Sequence, residues 1–125
     1  MDGYSVLLVD DEEEFVSALS ERLMLRGIEV EIALDGEEAL ARMKEKPPDV
    51  VILDVMMPGL SGLEVLKMIR GSHPQTQVIL LTGQGSTKEG IEGMRLGAFD
   101  YLIKPVDIEE MLERMKEAVK AIGNG

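Results

Sequence analysis

Five polar side chains lie directly at the ends of short apolar runs: Asp10, Asp11, Asp54, Thr82 and Lys104. Three carboxylates, a hydroxyl and a lysine are the groups that would bind a hard cation and neutralise an anionic ligand. Each of them also has a simpler interpretation, as a dipole-favoured helix start, a turn residue, a strand residue or a surface lysine. The chemistry therefore depends on whether the fold brings these side chains together.

Short apolar runs alternate with segments of helical period along the whole chain. The second run alternates polar and apolar residues, which indicates a strand at the edge of a sheet, whereas the other runs indicate buried strands. The predicted strands are Ser5 to Val9, Glu29 to Ala33, Val50 to Asp54, Gln77 to Thr82 and Asp100 to Ile103.

Capping residues and glycines set the expected helix ends. Asp11, Ser86 and Asp107 are the predicted N-caps, with Glu14 as the capping-box partner of Asp11. The first helix is expected to run from Asp11 to Arg26, the second from Gly36 to Glu45 and the third from Leu63 to Arg70. The fourth helix is expected to follow Ser86 and reach Leu96, and the fifth to follow Asp107 and reach Ile122.

Two glycines, Gly90 and Gly93, fall inside the predicted fourth helix. Because interior glycine weakens a helix, one hypothesis is that this helix is loosely held. The alternative hypothesis is that the glycines allow close packing against the sheet.

This order of elements predicts a mostly parallel α/β sheet covered by helices on both faces. If the strand order is 2-1-3-4-5, the polar strand ends converge on one pocket at the carboxyl edge. Mutual repulsion among the three carboxylates predicts bound Mg²⁺, which leaves coordination positions for phosphate oxygens. Lys104 and Thr82 suit a phosphoryl group, and Asp54 is the candidate nucleophile.

Composition limits the partners of the chain. With 13 Lys and Arg against 24 Asp and Glu, the net charge is −11, which disfavours direct contact with nucleic acid or an anionic membrane surface. Cysteine is absent, and the apolar runs are far shorter than a membrane span of about 20 residues. We therefore expect a cytoplasmic protein whose partners are proteins or cations.

Four motifs resemble the receiver domain of two-component response regulators. They are Val9-Asp10-Asp11-Glu12, the segment from Leu53 to Gly62, Leu81-Thr82-Gly83, and the segment from Gly97 to Pro105. The resemblance covers roughly Tyr4 to Ile122, so residues 1–125 are expected to form a single receiver domain. It implies a doubly wound, flavodoxin-like (βα)5 parallel sheet with strand order 2-1-3-4-5.

The resemblance implies that Asp54 accepts a phosphoryl group from a phosphohistidine on a sensor histidine kinase or a histidine phosphotransfer protein. Mg²⁺, or Mn²⁺ in its place, would be bound by Asp11 and Asp54 directly, by Asp10 through water, and by the backbone carbonyl of Met56. Lys104 would pair with the phosphoryl group.

The resemblance also implies a switch. Thr82 would move toward the phosphoryl group and Tyr101 would turn inward, changing the surface of the fourth helix, fifth strand and fifth helix toward an effector protein or domain, or in a phosphorylation-dependent homodimer. The Lys104-Pro105 peptide bond is expected to be cis. Met56 and Gln84 would border the phosphoryl group and influence its lifetime.

Three other functions are weighed against this one. A haloacid-dehalogenase-type phosphatase would need a second acid at the position of Met56, and a flavin or nucleotide binder would need a phosphate loop where Asp10-Asp11-Glu12 stands. A pseudo-receiver that only binds partners is disfavoured by the complete set of site residues. His73 is expected to be a surface residue away from the pocket.

Overall fold

Five strands alternate with five helices in the computed structural model, which describes residues 3–85 and 87–124. The elements are β1 (Ser5–Val9), α1 (Glu13–Met24), β2 (Glu29–Ala33), α2 (Gly36–Glu45), β3 (Val50–Asp54), α3 (Gly62–Ser72), β4 (Gln77–Thr82), α4 (Thr87–Arg95), β5 (Asp100–Ile103) and α5 (Ile108–Asn124). All five strands have the predicted bounds. Across the two described ranges, no helix combines the length and apolar character required to cross a bilayer.

The strands form one sheet in the order β2-β1-β3-β4-β5, and every neighbouring pair is parallel. The predicted fold class and strand order are therefore confirmed. β2 lies at one edge and is only partly buried, whereas every residue of the central β3 is buried. This difference explains why β2 alternates polar and apolar residues while β3 is apolar until Asp54.

Each face of the sheet is covered by helices, which creates two separate cores. Successive side chains of a strand point to opposite faces, so Leu7 lies in one core and Leu8 in the other. Buried residues of α2 and α3 complete the first core, and buried residues of α1 and α5 complete the second. The carboxyl ends of the strands are therefore held in place by packing on both faces of the sheet.

The predicted start of α1 is wrong. The helix begins at Glu13, with Glu12 at the N-cap position and no side-chain cap, because the Asp10 carboxylate instead accepts a hydrogen bond of 2.9 Å from the Glu12 N–H. The helix also ends at Met24 rather than Arg26, since a tight turn closes at Gly27, which has a φ of +80°.

The other helix ends are set by local hydrogen bonds. Asp107 caps α5 as predicted, its carboxylate accepting a bond of 2.9 Å from the Glu109 N–H. Ser61 and Glu64 form a capping box that starts α3 at Gly62, one residue earlier than expected. The expected N-cap at Ser86 lies outside the described residues.

Both glycines of α4 pack closely against the sheet. A Cβ at Gly93 would lie 2.0 Å from Cδ1 of the buried Leu80, and a Cβ at Gly90 would lie 2.8 Å from the Tyr101 ring. The geometry thus supports the close-packing alternative. The only buried residues of the described α4 are these two glycines, while Ile91 and Met94 are substantially exposed, so the helix also buries little apolar surface.

We expect Gly93→Ala to lower the free energy of unfolding by about 1–2 kcal/mol, because overpacking against Leu80 outweighs the helix propensity gained. Gly71→Ala is the matched control. A Cβ at this position of α3 would meet nothing within 4 Å, so Gly71→Ala should raise the same free energy by up to about 1 kcal/mol. Urea unfolding measures both changes, and equal effects of the two substitutions would contradict the packing argument.

Amide hydrogen exchange should be faster over Thr87 to Leu96 than in α5. The reason is that α5 buries Met111, Met115 and Ala118 completely, whereas α4 buries only glycines. Equal protection of the two helices, measured residue by residue by NMR, would show that α4 is not loosely held.

Candidate functional site

The sheet brings the five sequence-predicted residues to one edge. Asp10 and Asp11 follow β1, Asp54 ends β3, Thr82 ends β4 and Lys104 follows β5. Backbone hydrogen bonds extend the sheet beyond its strands, with the Asp10 N–H donating to the Ala33 carbonyl and the Lys104 N–H donating to the Thr82 carbonyl. The parallel ladders therefore fix the backbone positions of the site.

The three aspartates form one oxygen cluster. Asp10, Asp11 and Asp54 each offer a carboxylate oxygen, and these oxygens lie within 4.8 Å of one another. Asp10 and Asp54 are only 1% and 5% exposed, whereas Asp11 is open to solvent. A set of hard oxygen donors with one open side fits a divalent cation such as Mg²⁺.

Lys104 supplies positive charge beside this cluster. Its Nζ lies 2.9 Å from Asp10 Oδ2, 2.8 Å from Glu12 Oε1 and 3.8 Å from Asp54 Oδ2. Burial would lower the pKa of the Lys104 ammonium, but its hydrogen bonds to Glu12 and Asp10 outweigh burial and raise that pKa. The ammonium also lies 4.8 Å from the centre of the Phe15 ring.

The sequence interpretation missed Glu12 as a contact of this lysine. Its signal was present, because Glu12 is the third acid of the run after β1. A third acid at a helix start is also ordinary solvated surface, so only the fold distinguishes the two interpretations. The hydrogen bond to Lys104, together with the charge of that lysine, lowers the pKa of the Glu12 carboxyl.

The environment of Asp54 disfavours its charged form. Burial and the neighbouring negative charge of Asp10 raise the pKa of Asp54 to about 6. Lys104 and the Met56 N–H, which donates to Asp54 Oδ1 over 3.2 Å, oppose this rise without cancelling it. The ionised form of Asp54 is therefore electrostatically destabilised, and an additional cation would stabilise it.

Thr82 and Tyr101 occupy the β4 and β5 side of the site. Thr82 is fully buried, and its Oγ1 donates a long hydrogen bond of 3.4 Å to the Leu102 carbonyl. Tyr101 is partly buried and its ring packs on Gly90 of α4. The two residues lie on neighbouring strands, β4 and β5.

Two of the remaining predicted residues follow strands that end at the pocket, whereas His73 lies away from it. Met56 follows β3 and is 62% exposed, and Gln84 follows β4 and is exposed. The Lys104-Pro105 peptide bond is cis, as the resemblance implied. His73 is partly buried at the other end of the sheet, between α3 and β4, with its Nδ1 2.9 Å from Ser72 Oγ.

A family comparison agrees with this geometry. The sequence profile described as "Response regulator receiver domain" matches residues 6–116. The chain belongs to this family.

Relatives of the receiver domain are regulators from several bacteria. It is 42% identical over 123 residues to the transcriptional regulatory protein YkoG of Bacillus subtilis, covering 98% of this chain and 54% of that one. It is 41% identical over 115 residues to response regulator MprA of Mycobacterium tuberculosis, covering 92% of this chain and 50% of the relative. The chain thus spans about half the length of the curated relatives it matches.

Solved receiver domains have the same fold. The receiver domain of the Francisella response regulator 1452 superposes with a TM-score of 0.86 at 36% identity, covering 94% of this chain and 98% of that one. A response regulator receiver domain protein from Clostridium thermocellum gives 0.89 at 35% identity, covering 94% of each chain.

The raised pKa of Asp54 predicts a pH-dependent stability. Because the folded domain holds this proton to about pH 6 against an ordinary pKa of 3.8, the contribution of Asp54 to the free energy of unfolding should fall by about 2–3 kcal/mol as pH rises between these values. Asp54→Asn lacks this loss and should be more stable than the wild-type domain at pH 7.5, with little difference near pH 4.

Urea unfolding at both pH values without added divalent cation measures this difference. Glu113→Gln, which removes an exposed carboxylate of α5, is the control for net charge and should show no such pH-dependent gain. A stabilisation by Asp54→Asn that is equal at both pH values would contradict the conclusion that the ionised Asp54 carboxylate destabilises the fold.

Proposed function

We propose that this receiver domain accepts a phosphoryl group on Asp54 from a phosphohistidine of a sensor histidine kinase or a histidine phosphotransfer protein. The proposal is supported chiefly by the buried Asp54 carboxylate, which lies 3.8 Å from the Lys104 ammonium within a cluster of three carboxylates. An Asp54 oxygen forms the new bond to phosphorus. The bond from phosphorus to the imidazole nitrogen breaks, and that nitrogen keeps the electron pair.

Mg²⁺, or Mn²⁺ in its place, would be held by the oxygen cluster. Asp11 and Asp54 would bind it through their carboxylates, Asp10 through a water molecule and Met56 through its backbone carbonyl. When bound, the cation offsets the carboxylate repulsion and the charge of the phosphoryl oxygens. The hard, closely spaced oxygens of the three aspartates support this assignment.

Lys104 pairs with a phosphoryl oxygen after transfer, for which its ammonium has to move from its present partners. Thr82 donates to a second phosphoryl oxygen. Its present bond to the Leu102 carbonyl, at 3.4 Å, is near the weak limit for a hydroxyl donor, so the exchange costs little. A phosphoryl group adds about −1.5 to −2 charge and strong acceptor oxygens, which favours both rearrangements.

The output passes from Tyr101 to the surface of α4, β5 and α5. The Tyr101 ring packs on Gly90, so its inward turn changes what supports α4. Ile91, Met94 and Ile103 are 53%, 41% and 47% exposed on α4 and β5, and they offer apolar contact to an effector protein or domain, or to a second copy in a phosphorylation-dependent dimer. Met56 and Gln84 border the phosphoryl group and influence its lifetime.

The domain then acts as a signalling phosphoacceptor that catalyses only its own phosphorylation and dephosphorylation. Relatives named as transcriptional regulators are about twice as long, and we propose that output to DNA resides in another domain or partner. The net charge of −11 supports this view, since residues 1–125 as a single receiver domain would repel a phosphate backbone.

Intact-mass spectrometry after incubation with a small acyl phosphate tests the proposal. We expect one phosphoryl adduct on the wild-type domain, dependent on Mg²⁺ and absent from Asp54→Asn. Glu113→Gln serves as the matched surface control and should be phosphorylated like the wild type. An adduct that persists in Asp54→Asn would overturn the assignment of the acceptor, and one that forms equally well in a chelator would overturn the role of the cation.

A further inference from the structure

Lys104 is engaged by two carboxylates, neither of which is the proposed acceptor. Its Nζ donates to Asp10 Oδ2 over 2.9 Å and to Glu12 Oε1 over 2.8 Å, whereas the nearest oxygen of Asp54 is 3.8 Å away. The last distance exceeds that of a hydrogen bond. The ammonium therefore sits beside Asp54 without bonding to it.

Glu12 is placed for this contact by the start of α1. Its backbone N–H donates to Asp10 Oδ1, so the same aspartate that binds Lys104 also holds the Glu12 backbone in place. The centre of the Phe15 ring, in the first turn of α1, lies 4.8 Å from the ammonium. Asp10, Glu12 and Phe15 together surround the lysine head group on the β1 and α1 side of the site.

The two carboxylate partners of Lys104 differ in how easily each can give up its hydrogen bond to the lysine. The Asp10 side chain is 2% exposed and belongs to the oxygen cluster. The Glu12 side chain is 63% exposed and, within the described part of the chain, accepts a hydrogen bond from Lys104 alone. Water can solvate Glu12 as soon as the lysine leaves. The bond to Glu12 is therefore the one that Lys104 can exchange for a phosphoryl oxygen.

We propose that Glu12 is a positioning residue that holds the Lys104 ammonium away from Asp54 before phosphorylation and so slows the arrival of the phosphoryl group. The inference rests on the proposed function, since it concerns the rate of that transfer. Glu12 acts through the lysine and touches no reacting atom. Exposed ion pairs shift equilibria by up to about five-fold, which sets the size of the effect.

Three variants distinguish the loss of the Glu12–Lys104 ion pair from the loss of a negative charge near the site. Glu12→Gln removes the charge and the ion pair. Glu12→Asp keeps the charge on a side chain that is one methylene shorter, which weakens the contact with Lys104. Glu13→Gln removes a neighbouring exposed charge that makes no hydrogen bond to Lys104. Circular dichroism and thermal unfolding verify that each variant is folded before rates are compared.

The measurement is the initial rate of Mg²⁺-dependent phosphorylation by a small acyl phosphate, followed by intact mass. We expect Glu12→Gln to be phosphorylated roughly two- to five-fold faster than the wild type. Glu12→Asp should be faster as well, while Glu13→Gln should match the wild type. A rate for Glu12→Gln that equals or falls below that of Glu13→Gln would overturn the inference, as would wild-type behaviour of Glu12→Asp.

The salt dependence of the phosphorylation rate distinguishes the ion pair from a purely structural role of Glu12. Because the Glu12–Lys104 pair is exposed, added salt weakens it, so the ratio of the Glu12→Gln rate to the wild-type rate should fall toward one. A ratio that stays constant with salt would contradict the ion-pair mechanism. If the wild-type domain takes up no phosphoryl group at all, the proposed function itself fails; a phosphorylated wild type with unaffected variants removes only the role of Glu12.

Discussion

Crowding of negative charge at the carboxyl edge of the sheet is the constraint on which the site depends. Asp10 and Asp54 are both buried, and each offers an oxygen within 4.8 Å of the other and of Asp11. Burial and the charge of Asp10 raise the pKa of Asp54 to about 6, so the ionised site is under stress. The Lys104 ammonium offsets part of this repulsion, and a hard cation held by the oxygen cluster would offset more of it.

The two-layered core makes this crowding possible. Five parallel strands packed on both faces keep the ends of β1 and β3 side by side, and the backbone cannot spread to separate the aspartates. On the far side of β4, α4 meets the sheet through Gly90 and Gly93, which lie against Tyr101 and Leu80. The rigid part of the fold therefore holds the charges, and a thinly packed helix lies next to the residues proposed to respond.

The strands and most helices were predictable because their signals are local. Apolar runs of the right length set all five strand bounds, and Asp107 capped α5 as expected. The prediction that Asp11 caps α1 was wrong because an aspartate before a helix can either cap the helix or contribute its carboxylate to a site. Here Asp11 joins the oxygen cluster while Asp10 binds the Glu12 N–H, and no local rule distinguishes a cap from a site residue.

The sequence by itself determined the fold class, the strand order and the set Asp10, Asp11, Asp54, Thr82 and Lys104, because parallel strands bring their carboxyl ends to one edge. Only the tertiary structure decided which partner each side chain takes. Lys104 lies 92 residues from Glu12 in the chain and bonds to it rather than to Asp54. The Lys104 Nζ lies 2.8 Å from Glu12 and 3.8 Å from Asp54. This difference arises where the segment after β1 meets the segment after β5, and no spacing along the chain records it.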